Sequence, residues 1–149
     1  SGSAKAVEWL TANYKGSALS QEIKAKFIPL NVSAPFHCSM MMPAQKEMEP
    51  VLKKMQFSKA QFPVIQNVTA QETTNLDDIH KNLVKQISSP VRWVQSVMRA
   101  KELGINRVIE VGPGKVLTNL MKKIDSTGLP TFNIETIEDF KNLESNFKK

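Results

Sequence analysis

His37 is the residue of this sequence whose type and position most clearly indicate chemistry. It lies in a proline-containing loop at residues 33–38, directly after a predicted strand at residues 27–32. Loops that follow strands often carry the catalytic groups of α/β enzymes, and an imidazole exchanges a proton near neutral pH. The position favours a general base; the alternative is a histidine with only a surface or packing role.

A histidine base needs a nucleophile, and this sequence does not supply one. Cys38 is adjacent to His37, but adjacent side chains of an extended loop point to opposite sides, so Cys38 is predicted to be a small buried thiol. The Gly-x-Ser-x-Gly turn that presents a nucleophilic serine does not occur in the 149 residues. Either the domain is small and unusual, or its first half, with the nucleophile, lies outside this chain.

Two further segments have side chains that bear on chemistry. Phe36 and the methionines at positions 40–42 could line a pocket beside His37, although core packing is the expected role of the methionines. The Gly112-Pro113-Gly114-Lys115 turn resembles a phosphate loop only superficially, because Val116 stands where such a loop needs serine or threonine. We expect this turn to be structural.

The elements that must position these residues alternate between strand and helix, which predicts an α/β fold with a largely parallel sheet. The strand at residues 107–111 is expected to be buried. Pro50 should kink or interrupt the helix in which it lies. The predicted strands are at residues 27–32, 62–68, 107–111 and 131–134, and the predicted helices at residues 4–14, 40–55, 76–87, 89–103, 115–124 and 137–147.

Composition narrows the class of protein. A hydrophobic fraction of 41% and a charged fraction of 23% are typical of a globular domain. The single cysteine excludes an internal disulfide, and together with only two histidines it argues against a zinc site. No apolar run approaches the roughly 20 residues of a membrane span, and the start lacks a secretory signal, so we expect a cytoplasmic protein without a membrane partner.

The net charge of +6 comes from lysines spread along the chain, and aromatic residues make up only 7%. Nucleic-acid binders usually concentrate their charge and interleave it with aromatic residues, so we expect no nucleic-acid partner. A solvated basic surface is the simplest interpretation, and attraction of an acidic protein or a phosphorylated ligand is the functional one. An RNA-binding α/β domain would rest on net charge alone.

Four segments in fixed order carry a resemblance to one family. The segments are residues 29–41 (PLNVSAPFHCSMM), 63–70 (PVIQNVTA), 84–93 (VKQISSPVRW) and 109–117 (IEVGPGKVL). With these segments the sequence resembles the malonyl-CoA:acyl carrier protein transacylases of type II fatty acid synthesis, over about residues 1–124.

The resemblance implies the C-terminal half of a two-part enzyme. Residues 1–33 would be the C-terminal part of a ferredoxin-like small subdomain, and residues 34–149 the C-terminal part of an α/β-hydrolase-like large subdomain. The family's serine elbow, malonyl-binding arginine and oxyanion loop lie upstream and have no counterpart here. The complete protein would transfer malonyl from coenzyme A to acyl carrier protein through an acyl-serine, whereas this chain alone should be inactive.

The resemblance also implies roles for particular residues. His37 would be the catalytic base, the backbone carbonyl of Gln86 would orient its imidazole, and Asn67 would lie in the substrate pocket. Phe36 would fill the space that an α-methyl group needs, and so favour malonyl over methylmalonyl. We expect no cofactor and no metal, malonyl-CoA and acyl carrier protein as partners, and a monomer when complete. The alternative is a non-catalytic fragment or a carrier-protein-binding module.

Anionic substrates would give the positive charge a purpose, because basic residues near a cleft speed encounter with them. The residues expected to contribute to this field are Lys46, Lys53, Lys81, Lys85 and Arg92.

Overall fold

The chain folds into two compact units, Ser1–Val91 and Arg92–Lys149. The computed structural model describes residues 1–14, 32–124 and 128–147, with the side chains of residues 146 and 147 left out. The predicted strand at residues 27–32 and most of the predicted small subdomain at residues 1–33 lie outside the described residues. Among the described helices, none combines the length and the apolar character that crossing a membrane requires.

The first unit begins with helix α1, Ala4–Asn13. Its N-terminus is capped as predicted, because the Ser3 hydroxyl accepts a hydrogen bond from the backbone N–H of Ala6 at 3.3 Å. Tyr14 directly follows the helix and is buried.

After the loop that holds His37, a 3-10 turn at Ser39–Met41 leads into helix α2, Met42–Lys54. Pro43 lies in the first turn, where a missing N–H costs nothing. Pro50 does not interrupt the helix as expected, since α2 continues to Lys54. Lys46, whose carbonyl loses its helical partner at Pro50, is exposed, so water can hydrate that carbonyl.

The predicted strand at residues 62–68 is wrong in length and in setting. Only Val64–Ile65 forms a strand, β1, and it pairs antiparallel with β2, Glu72–Thr73, which the sequence did not reveal. The chain reverses because the backbone N–H of Ala70 bonds to the carbonyl of Gln66 at 2.8 Å. Ala70 adopts a φ of 55°, a left-handed value that closes the turn.

Helix α3, Leu76–Lys85, begins where the sequence predicts, with the Asn75 side chain accepting from the N–H of Asp78 at 3.0 Å. The two aspartates of its first turn, Asp77 and Asp78, complement the positive end of the helix dipole. Helix α3 packs against α2 and buries Val84. The turn after α3 brings Gln86 towards the loop of His37.

The second unit contains helix α4 (Trp93–Glu102), strand β3 (Val108–Val111), helix α5 (Val116–Ile124), strand β4 (Thr131–Ile134) and helix α6 (Ile137–Phe147). Strands β3 and β4 pair in parallel, with Val108 opposite Thr131 and Val111 opposite Ile134. The bounds of β4 and α6 are those predicted. Gly104, with φ of 80°, follows the end of α4 as expected.

Strand β3 is not buried as predicted. Ile109 is 41% exposed and Val111 is 78% exposed. The buried apolar side chains described in this unit lie instead on its helices and are Val97, Met121 and Leu143.

The fold is α/β, but in the described residues it combines one parallel pair with one antiparallel hairpin rather than a largely parallel sheet. The alternation of helices and strands predicted the class correctly. The alternation does not predict how many strands each sheet contains, because strand pairing depends on contacts between residues that are distant in sequence.

Candidate active site

The loop that carries His37 is held in an unusual backbone conformation. His37 has a φ of 60°, in the left-handed region that residues other than glycine seldom adopt. On its N-terminal side, the N–H of Phe36 bonds to the carbonyl of Ala34 at 2.9 Å around Pro35. On its C-terminal side, the N–H of Met41 bonds to the carbonyl of Cys38 at 2.9 Å. Fixed turns on both sides therefore impose the left-handed conformation on His37.

The imidazole of His37 contacts the end of helix α3. Its Nδ1 lies 2.9 Å from the backbone carbonyl oxygen of Gln86, 49 residues along the chain. A carbonyl can only accept, so Nδ1 must carry the proton of the neutral ring and Nε2 must hold the lone pair. His37 is exposed, which leaves Nε2 available to an incoming group. This arrangement is suited to a base that accepts a proton at Nε2.

The Gln86 carbonyl is available because of its place in the helix. Gln86 follows the last residue of α3, and its own N–H bonds back to the carbonyl of Asn82 at 2.9 Å. The final carbonyls of a helix have no partner within the helix, and they form the negative end of its dipole.

Side chains anchor the turn after α3 from two directions. The Ser88 hydroxyl donates to the side-chain carbonyl of Gln45 in α2. The Asn67 side-chain amide donates to the side-chain carbonyl of Gln86 at 3.2 Å. Asn67 and Gln86 also line a cleft of about 210 Å³ between the β1–β2 hairpin and α3. The structure thus brings His37, Gln86 and Asn67 together in the first unit.

Phe36 and its neighbouring methionines lie at the surface of the same loop. Phe36 is 43% exposed, Met40 is 51% exposed and Met42 is 38% exposed. The expectation that the methionines belong to the core is therefore wrong. Their exposure beside His37 gives the loop an apolar surface on which a ligand or further polypeptide can pack.

Cys38 is half-buried, and its hydrogen bonding does not suit a nucleophile. Its thiol donates to the carbonyl of Pro35 at 3.1 Å, within its own loop. A thiol that donates is protonated, and the protonated form is a poor nucleophile.

Within residues 1–14, 32–124 and 128–147, no group of three or more His, Cys, Asp or Glu side chains is arranged to hold a metal ion.

The glycine-rich turn before α5 is occupied by a carboxylate from the protein itself, which the sequence analysis missed. Glu110 accepts from the N–H groups of Leu117 and Thr118 at 2.9 and 2.8 Å, and from the Thr118 hydroxyl at 2.6 Å. The Thr118 hydroxyl, followed by the backbone N–H donors, lowers the pKa of Glu110 below its usual 4.5. Glu110 thus caps the N-terminus of α5, where an anion would otherwise bind, and this contact supports the structural role expected for the turn.

Comparison with curated proteins finds relatives of one name. The chain is 39% identical over 132 residues to the malonyl CoA-acyl carrier protein transacylase of Staphylococcus aureus strain COL, covering 89% of this chain and 42% of that protein. It is 42% identical over 126 residues to the enzyme of the same name from Bacillus subtilis strain 168, covering 84% and 38%. The chain thus spans about 40% of the length of these relatives and matches their C-terminal part. None of the protein-family models matches the sequence.

Solved structures give the same result. An acyl carrier protein S-malonyltransferase from Vibrio cholerae superposes with a TM-score of 0.81 at 36% identity, over 95% of this chain and 44% of that chain. A type II PKS acyl-carrier protein in complex with its malonyl-transacylase gives 0.79 at 33% identity, over 97% and 45%. The described fold is therefore similar to part of these enzymes.

Proposed function

We propose that this chain is the C-terminal part of a malonyl-CoA:acyl carrier protein transacylase, in which His37 is the catalytic base. The similarity to named transacylases supports the family. The contact between His37 Nδ1 and the Gln86 carbonyl carries the proposal for the site, because it leaves Nε2 free to accept a proton. The nucleophilic serine would come from sequence outside these 149 residues.

In the proposed reaction His37 acts first as a general base and then as a general acid. Its Nε2 takes the proton of the serine hydroxyl as the serine oxygen attacks the malonyl thioester carbonyl. The carbon–sulfur bond then breaks, and the His37 imidazolium gives this proton to the departing sulfur, so that coenzyme A leaves as the free thiol. The thiol of the acyl carrier protein attacks the acyl-serine by the same steps in reverse order, which regenerates the serine hydroxyl.

We further propose the finer architecture that the resemblance implies. Residues 1–33 would belong to a ferredoxin-like subdomain and residues 34–149 to an α/β-hydrolase-like one. The β3–α5–β4 unit supports the second assignment, because parallel strands joined by a helix are the building unit of such sheets. No cofactor is required, since the thioester is already activated, and the complete enzyme would act as a cytoplasmic monomer.

The direct test is replacement of His37 in the full-length protein. His37→Ala should lower kcat/KM for malonyl transfer by about 10²–10⁴-fold, the usual contribution of general acid–base catalysis. His80 provides the matched control: it contacts Phe57 edge-on with ring centroids 5.5 Å apart, away from the Gln86 carbonyl. His80→Gln should leave the rate unchanged. Equal rates for the His37→Ala variant and the unaltered protein would refute the role of His37.

A further inference from the structure

The turn after β1 carries two consecutive amide side chains that reach different parts of helix α3. Gln66 is buried, donates to the carbonyl of Ile79 at 3.2 Å and accepts from the Asn82 side chain at 2.7 Å. Asn67 donates to the Gln86 side chain at 3.2 Å. The turn is therefore tied to the middle of α3 through Gln66 and to its C-terminal end through Asn67.

The turn itself is rigid enough to act as a fixed point. The N–H of Gln66 bonds to the carbonyl of Gln71 at 3.2 Å, and the N–H of Ala70 bonds to the carbonyl of Gln66 at 2.8 Å. Ala70 lies in the left-handed region, so it has little freedom to relax without opening the turn. The position of the Asn67 amide is consequently set by backbone hydrogen bonds and by the buried Gln66.

Gln86 makes two contacts that are linked through its own backbone. Its side chain accepts from Asn67, and its carbonyl faces His37 Nδ1. Because Gln86 stands at the end of α3, its carbonyl has no partner within the helix, and its peptide plane has only one long hydrogen bond, from the N–H of Ile87 to the carbonyl of Val84 at 3.4 Å. The side-chain contact limits rotation about the Gln86 Cα and so limits the directions in which the carbonyl can point.

We propose that Asn67 is a positioning residue that holds the Gln86 carbonyl against His37, and thereby fixes the ring as its Nδ1–H tautomer. This assignment rests on the proposed function for its kinetic consequence, and it differs from the expectation that Asn67 contacts substrate. The link consists of two hydrogen bonds, Asn67 to the Gln86 side chain and the Gln86 backbone to His37. Loss of the first should loosen the second.

The tautomer can be measured without any assay of transfer. In the full-length protein labelled with ¹⁵N-histidine, two-bond and three-bond ¹H–¹⁵N correlations report which ring nitrogen of His37 carries the proton. The unaltered protein should show the Nδ1–H tautomer. Asn67→Leu should shift the ring towards a mixture in which Nε2–H is populated.

Gln86→Leu examines the same contact from the other side. It keeps the backbone carbonyl and leaves the turn at Asn67 intact, so it should give the same mixture as Asn67→Leu. The double variant should show no more than either single variant, because both changes remove one contact. Asn67→Asp should retain most of the Nδ1–H tautomer, since the Gln86 amide can turn and donate to the carboxylate.

The matched control is Gln61→Leu, which removes an exposed amide in the segment before β1. It should leave the His37 tautomer unchanged. In transfer assays, Asn67→Leu should lower kcat by on the order of 10-fold to 100-fold with KM for malonyl-CoA nearly constant, as expected for misorientation of a base.

The outcomes separate this proposal from the proposed function. A shifted tautomer in a protein that transfers no malonyl would support the positioning role and refute the transacylase assignment. Active transfer with a raised KM and an unchanged tautomer would make Asn67 a substrate contact and overturn the positioning role. Additive effects of Asn67→Leu and Gln86→Leu on the tautomer would also overturn it.

Discussion

His37 occupies a backbone conformation that costs free energy, and the fold pays for it through the two turns that flank the residue. Left-handed φ values cost of order 1–3 kcal/mol outside glycine and persist only where the surroundings impose them. Histidine is among the residues that adopt this region more readily than most. The conformation directs the ring from the loop towards the end of α3, where Nδ1 contacts the Gln86 carbonyl.

Phe36 gives the first prediction at this scale. Phe36 directly precedes His37, the proposed base, so Phe36→Ser in the full-length protein should open space for an α-methyl group. We expect the ratio of kcat/KM for methylmalonyl to that for malonyl to rise, by no more than the roughly 10–200-fold that one methyl group can contribute. Phe62, 73% exposed before β1, is the control position, and Phe62→Ser should not change the ratio. An unaltered ratio in Phe36→Ser would exclude a role for this ring in selectivity.

Some residues of this site were identified from sequence patterns, and others only from the family resemblance. The loop position of His37 followed from elementary patterns, whereas Gln86 followed only from resemblance, because no periodicity links residues 49 apart. The amide contact of Asn67 with Gln86 could not be read from the sequence. Asparagine and glutamine are common in turns for many reasons, and only the fold shows which two meet.

At the scale of elements, helices were easier to predict than strands. Helix α3 was predictable because Asn75 and two following aspartates mark its start, and α6 because its apolar spacing is continuous. Strand β1 was predicted too long, since the apolar run at residues 62–68 looked like one strand. The reversal at Ala70 that shortens it depends on a left-handed alanine, for which there is no sequence signal.

Glu110 gives a prediction about the α5 terminus. Its pKa is lowered by the Thr118 hydroxyl and by backbone N–H donors. The ionised carboxylate is therefore more stable in the folded state than in the unfolded state. Its contribution to stability is therefore present above the unfolded pKa and is lost as the pH falls through the folded pKa. Glu110→Gln should lower Tm at pH 7, and this difference should shrink as the pH falls below the usual glutamate pKa of 4.5.

Thermal melts across pH would check this effect. Glu47→Gln, at an exposed position of α2, is the control for simple loss of a negative charge, and it should change Tm little at any pH. A Tm difference for Glu110→Gln that stays constant down to pH 2 would show that the carboxylate charge is not what holds the N-terminus of α5.

At the scale of the whole molecule, charge gives the final prediction. The excess of positive charge should speed encounter between the complete protein and the anionic substrates of the proposed reaction, and salt should weaken this effect. Lys85→Gln should lower kcat/KM at low ionic strength, with the difference fading as salt is added. Lys53→Gln, which breaks the ion pair with Glu49 at 2.7 Å, removes the same unit of charge and should show the same dependence on salt. Rates that do not respond to ionic strength would rule out steering.

The class of the fold followed from the alternation of elements, but its burial did not. Strand β3 looked like a buried strand because three of its four residues are apolar, yet Val111 is 78% exposed. Val116 and Ile137, which begin the elements after β3 and β4, are 67% and 77% exposed. Parallel strands end at one edge of a sheet, so these side chains share that edge in the second unit. Sequence indicates apolar character, whereas burial depends on what packs against it.

The partner of His37 is a backbone carbonyl oxygen, which no amino-acid substitution can remove. A mutational scan of position 86 would therefore report on the side chain and remain blind to the atom that faces the ring. Semisynthesis offers a way to reach it: an α-hydroxy acid at position 87 converts the linkage to an ester, whose carbonyl accepts hydrogen bonds more weakly. In families with such a contact, tolerance to substitution at the partner position is a poor guide to its importance.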